Sequence, residues 1–273
     1  MGKIFKALEK SQKNDSTVLN EYNGFSEEAA IEEDSDLHHV TDLEIPKTVD
    51  ASLVTVTRPH SAEAEQFRQL KNTILFPEKG EPPRTIMVTS ASPSEGKSFV
   101  SSNLAVSIAQ SIDEYVLLMD CDLRKPSIHS RFGYSEIDGL SEYLSSAKPL
   151  SSLLVKTFLD KLTILPGGTI PSNPSELLSS EQMRRLLHEV RLRYSDRYII
   201  IDTPPPSMTS ETNALARQVD AVIIVIREGM TRVKDVQNII DIYGKEKIFG
   251  VVKNFSKPKS RYGYAYEKYG YTK

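Results

Sequence analysis

Cysteine is nearly absent from this chain: Cys121 is the only one in 273 residues. No intramolecular disulfide can form, and a reducing compartment is implied. Long apolar runs are missing too. The longest, Ala221 to Ile226, falls far short of the roughly 18 residues that a membrane-crossing helix needs. The N-terminus has no apolar signal core, and Lys6 stands where a myristoylation signal requires Ser or Thr. Membrane contact is therefore expected to be peripheral or through a partner. A net positive charge is also lacking. The formal net charge of −3 sets nucleic acid aside as the default partner.

What is present is unevenly spread. Residues 1–50 carry twelve acids and five bases, whereas residues 253–273 carry six bases and one acid. Of twelve tyrosines, five fall in the last twelve residues: Tyr262, Tyr264, Tyr266, Tyr269 and Tyr271. Residues 1–13 have the pattern of a short amphipathic helix, with Ile4, Phe5 and Leu8 among Lys3, Lys6, Lys10 and Lys13. Two readings stand for it: docking on an anionic membrane or partner, or a frayed terminus. Residues 14–50 are acidic and poor in large apolar groups, which predicts a disordered linker. From residue 51 to 254 the pattern is that of one folded domain, and residues 255–273 form a tyrosine-rich tail.

Within the domain, Ser61 reads as the N-cap of a helix running to about Phe76. Short apolar runs then alternate with helical segments: Thr85–Thr89, Val116–Met119, Leu162–Leu165, Tyr198–Ile201, Ala221–Ile226 and Ile248–Lys253. This predicts an α/β fold with a mostly parallel sheet covered by helices on both faces. The first strand leads into Ala91-Ser92-Pro93-Ser94-Glu95-Gly96-Lys97-Ser98 and then a helix. That is the context of a phosphate-binding loop, with Ala in place of the usual first Gly. Backbone N–H groups and the helix N-terminus supply partial positive charge to phosphate oxygens. Lys97 is expected to reach the β- and γ-phosphates, and Ser98 to ligate Mg²⁺.

Two further strands end in acids. Asp120 and Asp122 leave the second strong strand in Met119-Asp-Cys-Asp-Leu-Arg-Lys-Pro126, at the strand end where open α/β sheets bind ligands. Carboxylates so close need a cation or a shared proton, which suits Mg²⁺. Asp202 closes Ile201-Asp-Thr-Pro-Pro205, in the usual place of a Mg²⁺-water ligand. Asn254, after the last strand, is either an adenine reader or a turn residue. No Asn-Lys-x-Asp element for guanine occurs, so ATP is the expected nucleotide.

These three motifs, in this order and with a terminal tyrosine cluster, closely resemble the bacterial tyrosine kinases of capsule and exopolysaccharide assembly. Gly139-Leu-Ser-Glu-Tyr143, Leu165-Pro-Gly-Gly168 and Asn173-Pro-Ser-Glu-Leu-Leu178 look like family segments as well. Met1-Gly-Lys-Ile-Phe-Lys-Ala-Leu-Glu-Lys10 looks more loosely like members tied to exopolysaccharide or exosortase systems. The resemblance implies an ATP- and Mg²⁺-dependent autokinase acting on its own tail tyrosines. It implies a cytoplasmic location at the inner face of the membrane, held there by a transmembrane chain-length regulator that activates it. It further implies a cognate tyrosine phosphatase and a ring-shaped homo-oligomer. A family Glu-x-x-Arg-x-x-Arg helix used for ring assembly is matched by Glu65, Arg68 and Lys71, with Lys a departure because it lacks the two-pronged geometry of Arg. Ser94 replaces a frequent Gly and is expected to stiffen the loop; Phe99 replaces a frequent Thr and is expected to face helix packing.

Within that reading the general base is assigned to Asp120, with Asp122 and Asp202 organising the metal, although the first two could exchange roles. Arg124 and Lys125 would stabilise transferring charge or hold the incoming tail, or else form surface pairs. The rival reading is a ParA/MinD-type ATPase acting as a nucleotide-switched positioning module. Those proteins usually carry a second lysine where this chain has Ser92. Nucleic-acid binding by the basic, tyrosine-bearing tail is a third reading, opposed by the near-neutral remainder.

Overall fold

The computed structural model describes residues 46, 48–146, 148–193, 197–207 and 211–256. The amphipathic N-terminal segment, most of the acidic linker and all five tail tyrosines lie outside these residues. Seven strands form one sheet in the order β3-β4-β2-β5-β1-β6-β7. They are β1 (Thr85–Ser90), β2 (Tyr115–Asp120), β3 (Val155–Lys156), β4 (Leu162–Leu165), β5 (Arg197–Asp202), β6 (Ala221–Arg227) and β7 (Ile248–Asn254). All pairings are parallel except that of β3 with β4. The six longer strands match the six apolar runs. The two-residue β3 has no apolar run of its own and was not expected.

Period-two alternation sorts each strand between two cores. Met87, Leu117, Met119, Ile199, Ile201, Val222 and Ile224 point to one face. Ile86, Val88, Val116, Leu118, Tyr198, Ile200, Ile223 and Val225 point to the other. The second face is covered by α1 (Val54–Thr57), α2 (Ala62–Leu75), α3 (Lys97–Ala109) and α4 (Ile128–Arg131). The first is covered by α5 (Leu140–Ser146), α6 (Pro174–Leu178), α7 (Glu181–Arg193), α8 (Glu211–Ala216) and α9 (Val233–Tyr243). Strands buried on both faces have no polar side, which is why they read as continuous apolar runs.

Helix α2 begins where expected: the Ser61 hydroxyl accepts the Ala64 N–H at 3.1 Å. Phe99 packs edge-on against Phe67 with ring centroids 5.5 Å apart, joining α3 to α2. The start of the domain needs correction. Val49, assigned above to the acidic linker, packs against the second core, and the Asp50 N–H donates to the Arg131 carbonyl at 3.0 Å. Among the described residues no helix is long and apolar enough to cross a membrane.

Candidate active site

The strand order reverses around β1, which lies between β5 and β6 while its sequence successor β2 lies beyond β5. The crevice at such a switch point, at the C-terminal strand ends, is where open α/β sheets hold ligands. The ends of β1, β2 and β5 carry the phosphate loop, Asp120 and Asp202. Asp120 and Asp202 are direct partners in the β2–β5 register, so their side chains are neighbours by construction.

The loop itself depends on two left-handed residues. Gly96 has φ +92°, and a Cβ there would meet Asn254 Nδ2 at 2.0 Å. Ser94 has φ +62° without being glycine, a conformation that costs about 1–2 kcal/mol for an L-residue. The stiffening expected of Ser94 thus comes with strain. Ser94→Gly is expected to raise stability by up to about 1 kcal/mol, relief of strain being partly offset by unfolded-state entropy. Ser94→Val, branched at Cβ, is expected to lower it. Urea unfolding of both variants checks the pair; equal midpoints would exclude strain at this position.

Lys97 opens α3 and pairs with Asp122, Nζ to Oδ2 at 2.6 Å. Burial pulls the ammonium pKa down, but the Asp202, Asp122 and Asp120 carboxylates outweigh it and the net shift is upward. Asp120 is fully buried, and burial together with the neighbouring Asp202 charge pushes its pKa up to about 7. Its Oδ2 accepts the Ser127 and Ile128 N–H groups at 2.8 and 2.9 Å, which holds back part of that rise. Asp202 is also fully buried and shifted upward by burial, against the opposing pull of Lys97 and the Ser98 hydroxyl. Neither of its carboxylate oxygens has a hydrogen-bond partner of standard geometry.

Buried polar atoms left without partners are the exception in folded proteins. Two on one carboxylate beside a phosphate loop suit a hard cation. Asp202 and Ser98 are oxygen donors of the kind Mg²⁺ takes, with phosphate oxygens and water completing its shell. Among the described residues no group of three acidic, histidine or cysteine side chains could hold a metal alone.

The remaining expected residues are placed as follows. Arg124 donates from Nη2 to Ser175 Oγ at 2.8 Å, on α6. Asn254 is engaged within the chain. Its Nδ2 donates to the Glu95 carbonyl at 3.0 Å and its Oδ1 accepts the Phe255 N–H at 2.8 Å. Of the two readings left open above, adenine reader or turn residue, these contacts describe a brace of the phosphate loop, and the second Nδ2 hydrogen is left for any base contact. Glu65 and Arg68 pair within α2 at 2.6 Å, and Arg68 also donates to the Pro59 carbonyl at 2.9 Å. Ring assembly would have to redirect both; Lys71 is half-buried on the same helix.

Sequence reasoning gave no role to the roof of the site. A Cβ on Gly167 would lie 3.5 Å from Asp120 Cγ and 2.6 Å from Pro126 Cβ, so only glycine lets this loop cover the carboxylate. Glu142 locks the loop, accepting the Gly139 N–H at 2.7 Å and the Thr169 N–H at 3.1 Å. Gly139 and Gly167 fall in segments already singled out by resemblance, yet nothing local in them signals a contact with Asp120.

Known proteins agree with this geometry. A family model described as "ParA: NUBPL iron-transfer P-loop NTPase" matches residues 82–265. The chain is 34% identical to tyrosine-protein kinase YwqD of Bacillus subtilis over 78% of its length and 90% of that protein's. It is 31% identical to tyrosine-protein kinase wzc of Salmonella typhimurium over 81% of its length, spanning only 31% of that longer chain. Among solved structures, the kinase domain of Escherichia coli tyrosine kinase ETK aligns with a TM-score of 0.68 at 30% identity, covering 82% of this chain and 89% of that one. A ParA family ATPase from Chlorobium tepidum reaches a TM-score of 0.51 at 17% identity, which is a likeness of fold alone. The chain is a phosphate-loop NTPase of ParA-like fold and belongs to the bacterial tyrosine kinases.

Proposed function

We propose that this kinase transfers the γ-phosphoryl group of ATP to its own tail tyrosines, Tyr262, Tyr264, Tyr266, Tyr269 and Tyr271, to regulate exopolysaccharide or capsule synthesis and export. The observation that carries the reading is the convergence of Lys97, Ser98, Asp120, Asp122 and Asp202 at adjoining strand ends. A phenol oxygen attacks the γ-phosphorus, the bond to the β-bridging oxygen breaks, and ADP leaves. A free phenol has a pKa near 10, so its proton needs an acceptor. Asp120, poised near neutrality, is that acceptor. Mg²⁺ would neutralise charge on the phosphates, held by Asp202 and Ser98. Asp122 aligns Lys97 through the 2.6 Å contact and, with Asp202 and Ser98, would hold the cation. Arg124, at the rim, meets the incoming tail.

The positioning-switch alternative gains nothing from relatives that share only the fold. A transmembrane chain-length regulator is proposed as activator, which suits relatives that embed this domain in chains about three times as long. Peripheral placement at the inner membrane face, a Glu65–Arg68–Lys71 ring contact and a cognate phosphatase complete the proposal. Intact-mass analysis after incubation with Mg·ATP, with and without phosphatase, tests its core. Successive phosphate additions are expected in the wild type and none in a variant with all five tail tyrosines replaced by Phe. Undiminished phosphorylation of that variant would place the acceptors elsewhere.

A further inference from the structure

Glu95 puts a carboxylate inside the phosphate loop, where negative charge opposes the phosphates. It is 3% exposed, so the charge is not dispersed by water. Its oxygens are held separately. Oε2 accepts the Ser92 N–H at 2.9 Å, and Oε1 accepts a short hydrogen bond from the Thr231 hydroxyl. The Thr231 oxygen in turn accepts the Arg227 N–H at 2.8 Å. That donor fixes the direction of the hydroxyl proton, which can only point at Glu95. The Thr231 N–H bonds back to the Arg227 carbonyl at 3.1 Å, so the hydroxyl is rooted at the end of β6.

We infer that Thr231 is a positioning residue for nucleotide binding, its hydroxyl holding Glu95 Oε1 so that the carboxylate engages only the Ser92 N–H of the loop. Without it, Oε1 would be buried and unpaired, which no carboxylate tolerates cheaply. Released from Thr231, the side chain can turn onto loop N–H groups beyond that of Ser92, of the kind that cradle phosphate. A carboxylate turned onto them both occupies the cradle and repels the ligand. Asn254 fixes the same residue from its other side, through the Glu95 carbonyl at 3.0 Å. Between them, the ends of β6 and β7 clamp Glu95 at side chain and main chain.

The inference rests on nucleotide binding at this loop, and calorimetric titration of the full chain with Mg·ADP tests both. Wild-type protein that does not bind would sink the nucleotide reading itself. Given wild-type binding, Thr231→Ala is expected to weaken it about tenfold, while Thr231→Ser, which keeps the hydroxyl, stays within about twofold. In kinase assays KM for ATP should rise in Thr231→Ala with kcat at saturation little changed, a split that general loosening would not give. The double-mutant cycle with Glu95→Gln isolates the contact. Adding Thr231→Ala to Glu95→Gln should cost little further affinity, because the charge to be restrained is gone. Should Thr231→Ala alone melt too low to titrate, that pair decides. Wild-type affinity in Thr231→Ala, equal loss in Thr231→Ser, or a full tenfold loss in the Glu95→Gln background would each overturn the inference.

Discussion

Replacing Lys97 by Met is expected to cut phosphoryl transfer by on the order of 10²–10³, since one preorganised electrostatic contact to the transition state is lost. The same change strands Asp122, whose side chain is 8% exposed and whose partner is the lysine at 2.6 Å. Breaking a buried pair from one side destabilises by about 3 kcal/mol or more. Activity loss and fold loss are therefore entangled in the single variant. The double variant Lys97→Met, Asp122→Asn separates them, because it removes the orphaned charge along with the cation. It should melt closer to wild type than Lys97→Met does and remain inactive. Radiolabel transfer from γ-labelled ATP reads the first effect and thermal unfolding the second. Phosphotyrosine accumulating at the wild-type rate in either variant would mean that this loop is not the active site.

Asp202→Asn is expected to move stability and activity in opposite directions. The wild-type carboxylate is buried, shifted above its ordinary pKa and without hydrogen-bond partners of standard geometry. An acid whose folded pKa is raised binds more protons in the native than in the unfolded state. Its native state therefore loses stability as pH rises from the unfolded pKa toward the folded one. Asp120, at about 7, adds to the same trend. The Asn variant should then match wild type near pH 4 and gain progressively in Tm as pH rises above it. Mg·ADP should raise the wild-type Tm and the variant's much less, since ligand stabilisation follows affinity. Kinase activity should fall on the order of 10²-fold with the lost metal ligand. Melting curves that coincide at every pH would refute the burial argument, and a variant as active as wild type would refute the metal assignment.

The carboxylates and the lysine were legible in the sequence because strand and loop context places them without any tertiary information. Asp120 and Asp202 each follow an apolar run, and parallel pairing of β2 with β5 does the rest. Thr231, Glu142 and Gly167 were not legible as site residues. Each acts through a contact between segments far apart in the chain, such as Thr231 with Glu95, and no local periodicity encodes such a meeting. The location of Asn254 at the end of β7 was readable, but its contact with Glu95 was not, because the direction of its amide depends on the left-handed turn at Gly96. Short elements failed for a related reason. The β-branched run Val54–Thr57 argues against helix on propensity, and it is the packing of Leu53 and Val54 into the core that makes it one.

The attachment of Asn254 to Glu95 also fixes where the tail departs from the domain. Phe255 is held there as well, with the Arg227 guanidinium 4.4 Å from its ring centroid. The tyrosines are thus tethered to a point beside the phosphate loop. Tyr262 is eight residues beyond Asn254, within at most about 27 Å of it. Short tethers confine a group to an effective concentration on the order of millimolar. For a tail that enters its own site, a free peptide bearing the same tyrosines would compete only at comparable concentration, and dilution would leave the tail's supply unchanged; for one that enters a neighbour's, dilution would lower it. Were the tail to serve its own site, acceptor choice would be set by the tether before it is set by sequence around the tyrosine.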